Sequence, residues 1–101
     1  MTEVKLKFNE DKYLNEVLEY ITSTYTKHYS AGDPDNVQTF EMIVKNPDRG
    51  YYFSTGNLIK YSDRCGMKDD ERKELLKIAH YAILALYSLD KKNGVNISEN
   101  N

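Results

Sequence analysis

The sequence predicts an all-α protein, a compact bundle of about four helices preceded by a short extended N-terminal arm, and it predicts that the bundle is oligomeric. Three observations carry this. Apolar residues recur at spacings of three and four in successive windows, which is the period of a half-buried helix. Clusters of Gly, Pro, Asn and Asp punctuate those windows where helices stop and start. The only period-two stretch is Val4, Leu6 and Phe8 alternating with Lys5 and Lys7, and one strand does not make a sheet.

Residues 1–9 therefore read as an arm. The first helix runs from about Asp11 to Tyr25, with Leu14, Val17, Leu18, Ile21 and Tyr25 on its apolar side and Asn15, Glu16 and Glu19 opposite. Residues 27–36 are rich in turn formers and end in two N-cap types, Asp35 and Asn36, so a second helix of two or three turns is expected at once, marked by Val37, Phe40, Met42, Ile43 and Val44. Asn46-Pro47-Asp48-Arg49-Gly50 stops it, because proline disfavours helix in the residue before it. A third helix is expected over Tyr51 to Arg64, closed by Gly66 in the left-handed conformation. Gly56 inside that helix costs roughly 1 kcal/mol relative to alanine, which points to a close neighbour, a bound ligand or a later helix start. Asp69, Asp70 and Glu71 supply negative charge at the start of a fourth helix, with Leu75, Leu76, Ile78, Ala79, Ala82, Ile83, Leu86 and Leu89 as its apolar face and Ile83 in the core. Residues 1–90 thus form one helical domain, and 91–101 a polar, fraying tail.

Composition narrows the function classes. At 101 residues, 40% hydrophobic and 30% charged, one small domain is expected, with a core thin enough that self-association is the usual supplement. A net charge of −2 removes the basis for tight nonspecific binding to DNA, RNA or an anionic membrane, so an anion must be captured locally. The single Cys65 excludes an internal disulfide framework and fits a reducing cytoplasm. No apolar run reaches the length of a signal h-region or a membrane span.

Polar residues are patterned where a plain surface needs no pattern. Asn57, Lys60, Tyr61 and Arg64 share one helical stripe, since offsets of three, four and seven return to the same face. Lys77 and Tyr81 form a second stripe at i and i+4, with Arg72, Lys73 and His80 nearby and Lys68 in the connecting turn. If the last two helices pack antiparallel, Lys60, Arg64 and Lys77 converge with the phenols of Tyr61 and Tyr81. Arginine offers a planar fork to phosphate oxygens, lysine a point charge, asparagine a donor and an acceptor for a base edge, and tyrosine a stacking face. The competing reading is a solvated face whose cations pair with Asp63, Glu71 or Glu74 for a few tenths of a kcal/mol each. No phosphate-binding Gly-x-x-x-x-Gly-Lys-Ser/Thr loop occurs, and His28, His80 and Cys65 lack metal-ligand spacing.

His28-Tyr29, Glu41-Met42-Ile43, Gly56-Asn57-Leu58-Ile59-Lys60-Tyr61, Arg64-x-Gly66-x-Lys68-Asp69 and Leu76-Lys77-x-x-x-Tyr81 occur in an order and spacing that resembles a family of small bacteriophage proteins. That family includes the small nucleotide kinase of T-odd coliphages, which also lacks a recognisable phosphate loop. The resemblance covers about Lys27 to Leu89, and its Gly-Asn-x-x-Lys-Tyr-x-x-Arg-x-Gly block is the specific part. The kinase relatives carry a long extra N-terminal region, whereas only about 26 residues precede His28 here.

Together these observations lead to an expected function without catalysis. The protein is expected to sequester cyclic dinucleotide or other nucleotide signals of host anti-phage defence, as a homo-oligomer, a tetramer or larger, in the cytoplasm of the infected bacterium. Lys60, Arg64, Lys68 and Lys77 would hold phosphodiesters, Tyr29, Tyr61 or Tyr81 would stack on bases, Asn57 would read a base edge and His28 would donate to a phosphate oxygen. No metal or cofactor is required. The alternatives are a nucleoside-monophosphate kinase, which would use Mg²⁺ beside Asp63, Asp69 and Asp70, and an inhibitor that blocks a host enzyme through a tyrosine-rich surface.

Overall fold

A computed structural model describes residues 4–25, 39–67 and 70–95 of the chain. Four helices follow one another: α1, Glu10–Thr24; α2, Thr39–Ile43; α3, Pro47–Asp63; and α4, Glu71–Lys92. Among the described residues there is no strand, and the Val4 to Phe8 alternation stays outside regular structure with Val4, Leu6 and Phe8 exposed. No helix among them is long and apolar enough to cross a membrane. The expected caps Asp35 and Asn36 of α2 lie outside the described residues.

The joint between α2 and α3 differs from expectation for a local reason. Asn46 is extended, and its side chain accepts a hydrogen bond from the Arg49 amide at 3.2 Å, so it is the N-cap of α3. Pro47 then stands in the first turn, where a missing amide proton leaves no hydrogen bond unmade. The segment that ends α2 therefore also starts α3, four residues earlier than the aromatic cluster suggests. Arg49 secures the joint from the other side: its Nε and Nη2 donate to the carbonyls of Ile43 and Met42, each at 3.0 Å. At the far end Gly66 adopts φ +80°, as expected of a residue after a helix C-terminus. Asp70 caps α4 by accepting from the Arg72 amide at 3.3 Å, and α4 continues to Lys92, two residues into the tail expected from residue 91. Lys91 and Lys92 in its last turn suit the negative pole of the helix.

Helices α3 and α4 form an antiparallel hairpin. Lys92 at the end of α4 pairs with Asp48 at the start of α3 at 3.0 Å, while Arg64 at the end of α3 lies 3.6 Å from Glu74 in the first turn of α4. Between these ends the helices meet through small residues, Gly50 and Ser54 from one and Ala85 and Ser88 from the other, all buried. The two serine hydroxyls donate to their own helix, Ser54 to Gly50 O at 2.8 Å and Ser88 to Leu84 O at 2.9 Å, which satisfies them without a partner across the seam. Phe40 on α2 reaches both Phe53 and Tyr87, with ring centroids 6.2 and 6.4 Å away. Helix α1 joins α4 through a two-pronged Arg72–Glu16 pair and an edge-on Tyr20–His80 contact.

Two expectations are corrected by this packing. Among the described residues the close approach falls at Gly50, not at Gly56: a Cβ on Gly50 would lie 2.8 Å from Val44 Cγ2 and 2.9 Å from Ser88 Oγ, whereas none of them lies within 4 Å of one on Gly56. The face that α4 turns to α3 carries Glu74, Lys77, Tyr81, Ala85 and Ser88, and the apolar stripe expected in the core is only partly covered: Leu76, Ile78, Ala79 and Ala82 are half-buried, while Leu75, Ile83, Leu86 and Leu89 are exposed, Ile83 itself 45% accessible. Leu14 and Leu18 of α1 are exposed too. Small residues permit a closer backbone approach than leucines do, so the hairpin chose its phase by shape and not by apolarity.

Thermal and urea unfolding followed by circular dichroism check the glycine assignment. Gly50→Ala is expected to destabilise by about 1–3 kcal/mol through overpacking. Gly56→Ala is expected to stabilise by about 0.5–1 kcal/mol, because its helix position is open and alanine restricts the unfolded chain.

Candidate functional site: a cationic cluster on stacked tyrosines

The last two turns of α3 face the first three turns of α4. Tyr61 and Tyr81 meet there with ring planes 13° apart and centroids 5.8 Å apart, an offset stack. Phe53 braces Tyr81 edge-on at 6.0 Å. Three cations then gather about the one Tyr61 ring: the Arg64 guanidinium carbon lies 4.6 Å from its centroid, Lys77 Nζ 5.1 Å and Lys60 Nζ 5.4 Å. Each such contact is worth about 0.5–1 kcal/mol at an exposed site, enough to bias three long side chains toward one place.

The counter-charge is Glu74. Its side chain is fully buried, 3.6 Å from Arg64 Nε, and among the described residues neither of its oxygens accepts a hydrogen bond. Lys60 and Lys77 make no ion pair among the described residues, so the cluster has three positive charges against one negative. An anion that entered would relieve the mutual repulsion of the lysines. Glu74 was expected only as a surface ion-pair partner. Its spacing to Lys77 and Tyr81, three and seven residues, is the signal that places it on the inner stripe.

Of the residues expected here, Lys60, Tyr61, Arg64, Lys77 and Tyr81 are brought together. Asn57 lies on the same face of α3, half-buried, but its amide donates to the Phe53 carbonyl of its own helix at 2.9 Å, so one of its two N–H groups is already committed. His28, Tyr29 and Lys68 lie outside the described residues. Arg72 is turned away to Glu16, whose carboxyl its guanidinium holds below the usual glutamate range. His80 is buried between Tyr20 and Tyr81, and burial pushes its pKa down, which keeps the imidazole neutral. Burial also raises the Cys65 thiol, with Glu71 and Glu74 adding to it, so Cys65 is a poor nucleophile. Asp70 is occupied as a helix cap, and Asp69 is outside the described residues. A shallow groove lined by Thr55, Leu58, Ile59, Ser62 and Asp63 runs along a different side of α3 and shares no residue with the cluster.

Two measurements check these electrostatics. His80 has a lower pKa folded than unfolded, so the unfolded chain binds more protons, and stability should fall as pH drops below about 6.5. The Glu16–Arg72 pair should be lost only at lower pH, through the carboxylate range. Unfolding midpoints between pH 8 and 5 should therefore decline, and His80→Gln should flatten that decline. Arg64→Ala, which strands the buried Glu74 carboxylate, should cost about 2–3 kcal/mol, with Glu74→Gln restoring much of it in the double variant.

A sequence model of a protein family of unknown function, DUF3310, matches residues 23–83 and spans every member of the cluster. That is more than half of the chain, and the protein belongs to this family. No curated protein and no solved structure matches it.

Proposed function

We propose that this member of the family is a nucleotide-binding protein that holds its ligand without chemistry, and that the ligands it withdraws are the cyclic dinucleotide or related nucleotide signals of anti-phage defence in the cytoplasm of an infected bacterium. The supporting observation is the convergence of Lys60, Arg64 and Lys77 on a Tyr61 ring stacked on Tyr81, with one buried carboxylate as counter-charge. The resemblance of the Gly56 to Gly66 block to small phage nucleotide-handling proteins supports the ligand class.

In this reading each side chain does what its geometry favours. Lys60, exposed, and Lys77, half-buried, neutralise phosphate oxygens. Arg64 lies beside Glu74 and against the Tyr61 ring, so its planar fork, the geometry that matches phosphate oxygens, is held within the cluster. The Tyr61–Tyr81 platform offers an aromatic surface for a base, a contact worth about 1–3 kcal/mol per base. The platform itself is already stacked and braced by Phe53, and the cations that gather about Tyr61 would move from the ring to the phosphates as a base takes their place. An oligomer would multiply the sites and extend retention.

Native mass spectrometry and calorimetry against linear and cyclic nucleotides test this. A stoichiometric complex with a cyclic dinucleotide is expected, from which heat releases the ligand unchanged. Lys60→Ala and Lys77→Ala should each weaken binding at least about 10-fold, with stability altered by less than about 0.5 kcal/mol at exposed Lys60, and affinity should fall with rising salt. Turnover of a nucleoside monophosphate with ATP would replace this reading with phosphoryl transfer. Unchanged affinity in both lysine variants would remove the cluster from the function.

A further inference from the structure

We propose that the outward face of α4 is a self-association surface on which a second copy of this chain docks antiparallel, about a two-fold axis passing between His80 and Tyr81. The surface lies away from the α3 seam and from the tyrosine cluster, so the inference does not rest on the ligand.

The pattern carries the choice of partner. Reading outward from that midpoint, the stripe is the same in both directions: Ala79 and Ala82, then Ile78 and Ile83, then Leu75 and Leu86. A two-fold axis at right angles to α4 sets each of these residues level with its like on the other copy, which is the residue i to j and j to i reciprocity of an isologous interface. The alanines fall at the centre, where two helices approach most closely, and the leucines at the ends, where they diverge. Leu75, Ala79, Ala82, Leu86 and Leu89 follow offsets of four, three, four and three, the seam of a left-handed helix pair. Among the described residues the centre of this stripe is half-buried, at Ile78, Ala79 and Ala82, and its flanks stay open: Leu75 is 54% accessible, Ile83 45%, Leu86 62% and Leu89 37%.

Area sets the strength. From Leu75 to Leu86 the contact is about 17 Å long, and a stripe of this width and exposure offers a few hundred Å², comparable to the largest apolar patch on an ordinary monomer, which is often functional. A standard stable interface buries about 800 Å² per partner. The α4 pair alone falls short of that, so the dimer forms reversibly, with dissociation in the micromolar range or weaker.

Sedimentation velocity from about 1 to 500 µM, without nucleotide, tests the association. The full chain should pass from monomer to dimer with rising concentration. Leu86→Glu should raise the dissociation constant at least about 10-fold while its far-ultraviolet spectrum and melting stay as in the parent, since the side chain is exposed in the monomer. A chain that remains monomeric throughout, a dimer indifferent to Leu86→Glu, or unfolding of that variant would each overturn the proposal. Direction is tested by oxidative cross-linking in a Cys65→Ser background. Chains carrying Ala79→Cys, mixed with chains carrying Ala82→Cys, should cross-link to each other in preference to themselves. Preferential self-linking of each variant would establish a parallel pair and overturn the two-fold geometry.

Discussion

The close approach of α3 and α4 is the constraint on which the rest depends. Gly50 admits Val44 and Ser88 at distances no side chain would allow, and Ser54, Ala85 and Ser88 continue the narrow seam. Beyond the small residues the seam widens to admit the stacked rings of Tyr61 and Tyr81, with Phe53 set edge-on against Tyr81. The cationic cluster is a consequence of the same geometry, since Lys77 and Tyr81 reach Tyr61 only if the helices are close and in this register. The cationic cluster and the packing are thus set by one joint.

The seam also explains an unusual interior. Among the described residues the fully buried side chains include Ser54, Glu74 and Ser88, while most leucines and isoleucines stay partly or wholly exposed. The serines are harmless because each bonds its own helix. Glu74 is different: a carboxylate removed from water beside a single guanidinium is costly unless further groups satisfy it. Such an arrangement is unfavourable for stability on its own and makes best sense as a fixed charge that orients Arg64.

Much of the architecture was legible in the sequence because helical periodicity and capping chemistry are local. The four helices, the capping role of Asp70 and the left-handed Gly66 follow from residues within a turn of one another. The convergence of Lys60, Tyr61, Arg64, Lys77 and Tyr81 was legible too, because it needs only i, i+4 spacing and an antiparallel hairpin. What was not legible depends on which side of a helix wins. Leucines and isoleucines at 75, 78, 83 and 86 advertise a core, yet steric fit at 50, 54, 85 and 88 rotated α4 the other way. Gly56 drew attention because it costs helix stability, whereas Gly50, masked by a proline-containing stop signal, was the residue the packing required. Asn46-Pro47 carries two meanings, stop and start, and only the Arg49 amide and side chain distinguish them.

Arg49 also gives the short second helix its standing. Five residues are far too few to hold a helix in water, and this one is fastened at its carboxyl end by two donors that belong to the first turn of the next. It is therefore not an independent rod but the short arm of a rigid elbow. Phe40 extends that arm across to Tyr87 on α4, and Val44, just past its end, seats it against Gly50, so both ends of the short segment are tied to the hairpin.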